Sequence, residues 1–77
     1  MRFIRLAIDK QSNAVVSLYE DDIDKMYRLY KRLASQDKPV FEKQYESVKE
    51  AVRAFDKQVI DDYHQQGLYY TDFSEAE

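Results

Sequence analysis

The chain has no cysteine and no tryptophan, and only one glycine, one proline and one histidine in 77 residues. Without cysteine there can be no disulfide, thiolate zinc site, iron–sulfur cluster or cysteine nucleophile. One glycine is too few to build a loop that cradles phosphate with backbone N–H groups. The single histidine, His64, excludes a His-paired metal site or a histidine dyad within one chain. Asp61 and His64, three residues apart, would offer two ligands on one helical face, but no spacing fixes a third. Ser12, Ser17, Ser35, Ser47 and Ser74 lack the strand–turn–helix setting of an activated nucleophile. The carboxylates are interspersed with cations, so nothing points to the raised pKa that general acid work requires. The expectation is a protein with no catalytic residues, no metal and no cofactor.

Long apolar runs are missing too. None approaches the ~20 residues that a membrane-spanning helix needs. Charges at Arg2, Arg5, Asp9 and Lys10 interrupt the N-terminal apolar stretch too early for a signal peptide. A cytoplasmic protein without membrane attachment is expected. The composition, 44% hydrophobic, is that of a folded chain. So short a chain hides only about 60% of its unfolded surface, so a thin core in one domain is expected over residues 1–73.

Net charge is −3 and unevenly spread. Residues 1–38 hold eight Lys/Arg against six Asp/Glu, whereas residues 39–77 hold four against nine. No cation follows Lys57. Such polarity suits partners of opposite sign, or a second copy placed head to tail.

The first twenty residues read as a β-hairpin. Ile4, Leu6 and Ile8 alternate with Arg5 and Ala7, and Ala14, Val16 and Leu18 alternate with Val15, Ser17 and Tyr19, placing both apolar sets on one face. Asp9-Lys10-Gln11-Ser12-Asn13 between them is turn chemistry. Asp21-Asp22-Ile23-Asp24 then reads as the acidic start of a first helix, continuing to about Ala34 and ended before Pro39. Its apolar arc would be Ile23, Met26, Tyr27, Leu29, Tyr30, Leu33 and Ala34.

Phe41, Tyr45, Val48, Val52, Phe55 and Val59 follow a 4-3-4-3-4 spacing that would allow one helix over 39–66. That helix would be about 40 Å long and would overhang its own core. Ser47-Val48-Lys49-Glu50 has the form of a capping box, which favours a strand at Val40–Glu46 and a helix at Val48–Gln66. Gly67 suits the left-handed residue that closes such a helix. Leu68–Phe73 reads as a short strand, and residues 74–77 as a frayed tail. The fold class is therefore α+β: hairpin, helix, short strand, long amphipathic helix and C-terminal strand, the sheet covered by two helices.

Lys43-Gln44-Tyr45-Glu46-Ser47-Val48-Lys49-Glu50-Ala51, leading into a helix that ends near Gly67-Leu68-Tyr69, is similar to the closing part of WGR domains, which bind nucleic acid. The Trp-Gly-Arg signature is absent, with Lys31-Arg32-Leu33 in the corresponding stretch. No functional residue is carried over.

Two constellations remain as candidate sites. On the first helix, Lys25, Arg28, Lys31 and Arg32 would gather within about 120° of arc beside tyrosines, a candidate surface for nucleic acid or another anion. At the C-terminal end, Ile60 falls outside the inward stripe of Val48, Ala51, Val52, Phe55, Val59 and Tyr63. With Tyr69, Tyr70 and Phe73 it would form an apolar patch for a protein partner. The expected function is a small non-catalytic binding module, a regulator or inhibitor of the size phages and mobile elements often encode. Nucleic-acid binding is the alternative, disfavoured by the overall acidity. A homodimer is also expected, since a long 39–66 helix or an open strand edge would each invite a second copy.

Overall fold

The computed structural model describes residues 2–33, 36, 38–70 and 72–75, the last four by backbone. Strands β1 (Arg2–Asp9), β2 (Ala14–Glu20), β3 (Tyr27–Arg32) and β4 (Phe41–Tyr45) form an antiparallel meander. Helix α1 (Val48–Gln66) follows, and β5 (Asp72–Glu75) joins the free edge of β1, giving the order β4-β3-β2-β1-β5. The helix carries the chain from one edge of the sheet to the other. Nineteen residues at ~1.5 Å each give ~28 Å, enough to cross five strands spaced ~4.8 Å apart.

The first hairpin forms as its sequence dictates. Asp9 accepts hydrogen bonds from the Gln11 N–H (3.3 Å) and the Ser12 hydroxyl (2.7 Å), and Asn13 takes a left-handed φ of 59°. The pairing shifts by one residue between Phe3 and Arg5, leaving Ile4 as a bulge. That shift corrects the expected face of β1. Beyond the bulge Ala7 and Asp9 turn inward, opposite Val16 and Ala14, while Leu6 and Ile8 pair with Ser17 and Val15 on the far side.

The helix expected from residue 21 to about Ala34 is absent over residues 21–33, and with it the second covering helix; Ala34 lies outside the described residues. Residues 21–26 form a turn and Tyr27–Arg32 is β3. The aspartates do satisfy free N–H groups, but those of a turn: Asp21 accepts from Ile23 N–H (2.9 Å) and Asp24 from Met26 N–H (3.0 Å). Lys25 adopts a left-handed φ of 59°, which ends any helix there. In Tyr27–Arg32 the period is two: Leu29 and Lys31 are buried, and Arg28, Tyr30 and Arg32 point the other way. Six residue pairs in register along β2 decide for a strand over local helix propensity.

The strand expected at Val40–Glu46 is present as β4, and the helix spans Val48–Gln66 as read. Its start is not a capping box, since the Ser47 side chain makes no cap hydrogen bond. Its end is a Schellman closure: Gly67 (φ 70°) donates to Tyr63 O and Leu68 N–H to Asp62 O, each at 3.2 Å. The last strand lies later than expected, at Asp72–Glu75 instead of Leu68–Phe73. It takes in Ser74 and Glu75, read as a frayed tail; residues 76 and 77 lie outside the described residues.

The core lies between α1 and one sheet face. Val16, Leu18 and Leu29 from the sheet meet Ala51 and Phe55 from the helix, and Ala7, Ala14 and Ala51 leave room for close approach. Gly67 tests the C-terminal closure directly. A Cβ there meets nothing within 4 Å, so Gly67→Ala adds only backbone strain. Urea denaturation is expected to show a loss of about 1–2 kcal/mol.

Candidate functional site

Three places on the molecule concentrate chemistry. The first is buried. Lys31 of β3 is 4% exposed and Asp62 of α1 is 2% exposed, and their Nζ and Oδ2 atoms are 3.0 Å apart. Asp62 also accepts from the Tyr70 hydroxyl (2.5 Å) and Gln58 Nε2 (2.8 Å), while Lys31 Nζ donates to Gln66 Oε1 (3.3 Å). The charges are thus paired and their remaining hydrogen-bonding capacity largely used, as ions out of water require. Burial, and then the hydrogen bond to Asp62, hold the Tyr70 phenol far above its ordinary value of 10.0, with Asp9 adding to the effect. With its proton held, the Tyr70 hydroxyl is the donor in its bond to Asp62.

The second place is the apolar end expected from the sequence. Val59, Ile60, Tyr63, His64, Leu68 and Tyr69 line a groove of about 320 Å³, with Tyr70 at its base. The Tyr63 ring packs edge to face on Tyr69 (centroids 5.8 Å) and His64 (5.4 Å). Ile60, Tyr63 and Tyr69 are each more than half exposed. The structure therefore brings Ile60, Tyr69 and Tyr70 to one groove, in which Tyr70 is the buried member with its hydroxyl committed to Asp62. Phe73 pairs with Ala7 in the sheet, and its side chain lies outside the described residues. Tyr63, read as part of the inward stripe, was missed. It occupies the correct wheel position but stacks on Tyr69 instead of the sheet.

The third place is the sheet face opposite α1. Phe3, Tyr19 and Tyr30 on three neighbouring strands stack edge to face at 6.1 and 5.8 Å. Burial, followed by the charge of Glu42, raises the Tyr19 phenol above its usual value. The Ser17 hydroxyl on this side is buried without a hydrogen-bond partner. Nothing in the sequence reading signalled this face, because it exists only once residues 27–32 are a strand.

The cationic stripe does not survive that change. Lys31 points into the core, and Arg28 is held by Asp21 (3.3 Å), Glu42 (3.8 Å) and Asp24. Lys25 lies in the turn before β3 and Arg32 closes its far end. The four cations of the expected anion-binding surface thus share no common face.

Among the described residues no group of three or more His, Asp or Glu side chains could hold a metal ion, and Asp61 and His64 gain no third ligand. No described helix is long and apolar enough to cross a membrane. No family model, curated protein or solved structure matches the chain.

The buried pair makes two predictions. Lys31→Met strands the Asp62 carboxylate and should cost about 3–5 kcal/mol in urea denaturation. Lys31→Met/Asp62→Asn, which removes the stranded charge but keeps an acceptor for Tyr70, should recover most of that loss. The second prediction concerns alkali. Folding holds a proton on Tyr70 that the unfolded chain releases near pH 10, so this contribution is complete below pH 10 and declines above it. The unfolding free energy from urea denaturation should fall between pH 10 and 11, by up to about 1.4 kcal/mol per pH unit for this group. Tyr70→Phe should flatten that slope.

Proposed function

We propose that this protein is a small non-catalytic binding module, a cytoplasmic regulator or inhibitor that acts by occupying a protein partner, and that it works as a homodimer. The observation that carries the reading is the groove of Ile60, Tyr63, Leu68 and Tyr69. Large apolar side chains are held there by a helix terminus fixed through the Gly67 closure and the Tyr70–Asp62 bond. A groove whose walls are ordered before binding loses little entropy on association. Tyrosine supplies much of the contact area at hot spots.

The net charge of the chain's second half indicates the partner's chemistry. The half of the chain that builds the groove holds nine carboxylates against four cations. A complementary partner presents an apolar anchor side chain ringed by lysine or arginine. Nucleic-acid binding through Lys25, Arg28, Lys31 and Arg32 draws no support from their dispersed placement.

The test is affinity capture from a lysate of the source cell with the wild-type chain and two variants, Ile60→Ser and Tyr69→Ser. Both positions are exposed, so each variant should unfold within about 0.5 kcal/mol of wild type. A protein retained by the wild type and lost with both variants is the expected result. Equal capture by all three chains, or a nuclease-sensitive bound fraction, would count against the reading.

A further inference from the structure

One helix covers one face of the sheet, and no described residue forms a layer over the other. Phe3, Leu6, Ile8, Val15, Tyr19 and Tyr30 share that outer face by register. The face also has charge polarity along β2 and β3. At one end the turn carries Asp21, Asp22 and Asp24 against Lys25, and Arg28 beside it is already shared among Asp21, Asp24 and Glu42. At the other end Arg32 is exposed, with no ion pair or hydrogen bond among the described residues. Arg32 borders a hollow of about 260 Å³ formed with Asn13, Val15, Tyr30 and Leu33. On the acidic turn stands Ile23, 94% exposed, an apolar knob between two aspartates.

We propose that two copies of this chain meet through their outer sheet faces around a two-fold axis that crosses the strands near Ser17 and Tyr30. The choice of this face deepens the homodimer of the proposed function and rests on it. Such an axis lays β2 and β3 of one copy antiparallel over those of the other. Each acidic turn then lies over the partner's Arg32 end, and each Ile23 faces the partner's hollow. The contact is self-complementary, so one matching of charge is made twice and the assembly closes at two.

Area agrees with this arrangement. Five strands at ~4.8 Å and six residues at ~3.3 Å give a face of about 480 Å² per copy, or roughly 1,000 Å² in all. That is the lower limit for a specific interface, so a reversible dimer in the micromolar range is expected. Pairing through the β4 edge is opposed by its exposed Glu42, Lys43 and Gln44.

The test is sedimentation equilibrium of the full chain from about 1 to 500 μM. The chains compared are wild type, Ile23→Lys, Arg32→Glu and the double variant Ile23→Lys/Arg32→Glu. Neither position supports the monomer fold, since both side chains are exposed. Thermal unfolding of the dilute variants checks this. Each single variant should raise the dimer Kd at least tenfold, and the double variant, which sets a cation opposite a carboxylate across the interface, should recover at least part of that loss. A wild type that stays monomeric throughout would overturn both this interface and the homodimer. A dimer whose Kd is unmoved in either single variant would overturn the interface alone and leave the homodimer standing.

Discussion

The contact between Lys31 and Asp62 is the point at which three separate parts of the chain are tied together. Lys31 comes from the third strand, Asp62 from the helix, and Tyr70, the third member, from the segment that leads to the last strand. An apolar contact in the same place would hold the helix at many rotations about its axis, since dispersion is not directional. An ion pair closed by a phenol and two glutamine amides admits few geometries, and so fixes how the helix lies on the sheet. Buried ions contribute little net stability. Here their effect is positional, and the exposed tyrosine groove next to Tyr70 inherits that position.

Much of the architecture was legible where its signals are local. The helix from Val48 to Gln66 is closed by Gly67, a signal that depends on no distant contact. The first hairpin is likewise written in Asp9, Ser12 and Asn13. The third strand was illegible for a physical reason. Asp21 and Asp24 accept backbone N–H groups, and a carboxylate does the same at a helix start as in a turn. What separates the two outcomes is the pairing of residues 27–32 with β2, a contact no short window contains.

The candidate sites were legible to a matching degree. Ile60 and Tyr69 were found because an isoleucine on the polar side of a helix and an aromatic pair after a glycine are visible without a structure. The burial of Tyr70 was not legible because its partner, Asp62, is eight residues away, and only the Schellman turn folds it back. The outer sheet face was invisible for two compounded reasons. The Ile4 bulge exchanges the faces of Leu6 and Ile8, and Tyr30 was counted on a helix.

The pairing of β5 with β1 sets the order in which the molecule can be completed as it is synthesised. The meander from β1 to β4 needs only neighbouring strands and can close once residue 45 is available. Leu6 must wait for Ser74, sixty-eight residues later, and that last pairing also needs the helix to have crossed the sheet. A loop of that length costs more entropy to close than any other in the fold. Until then the outer edge of β1 presents unpaired N–H and C=O groups beside Leu6 and Ile8. For a nascent chain this is the interval of greatest vulnerability to strand exchange with a neighbour. Among the described strands only β5 covers that edge, so its arrival ends the interval.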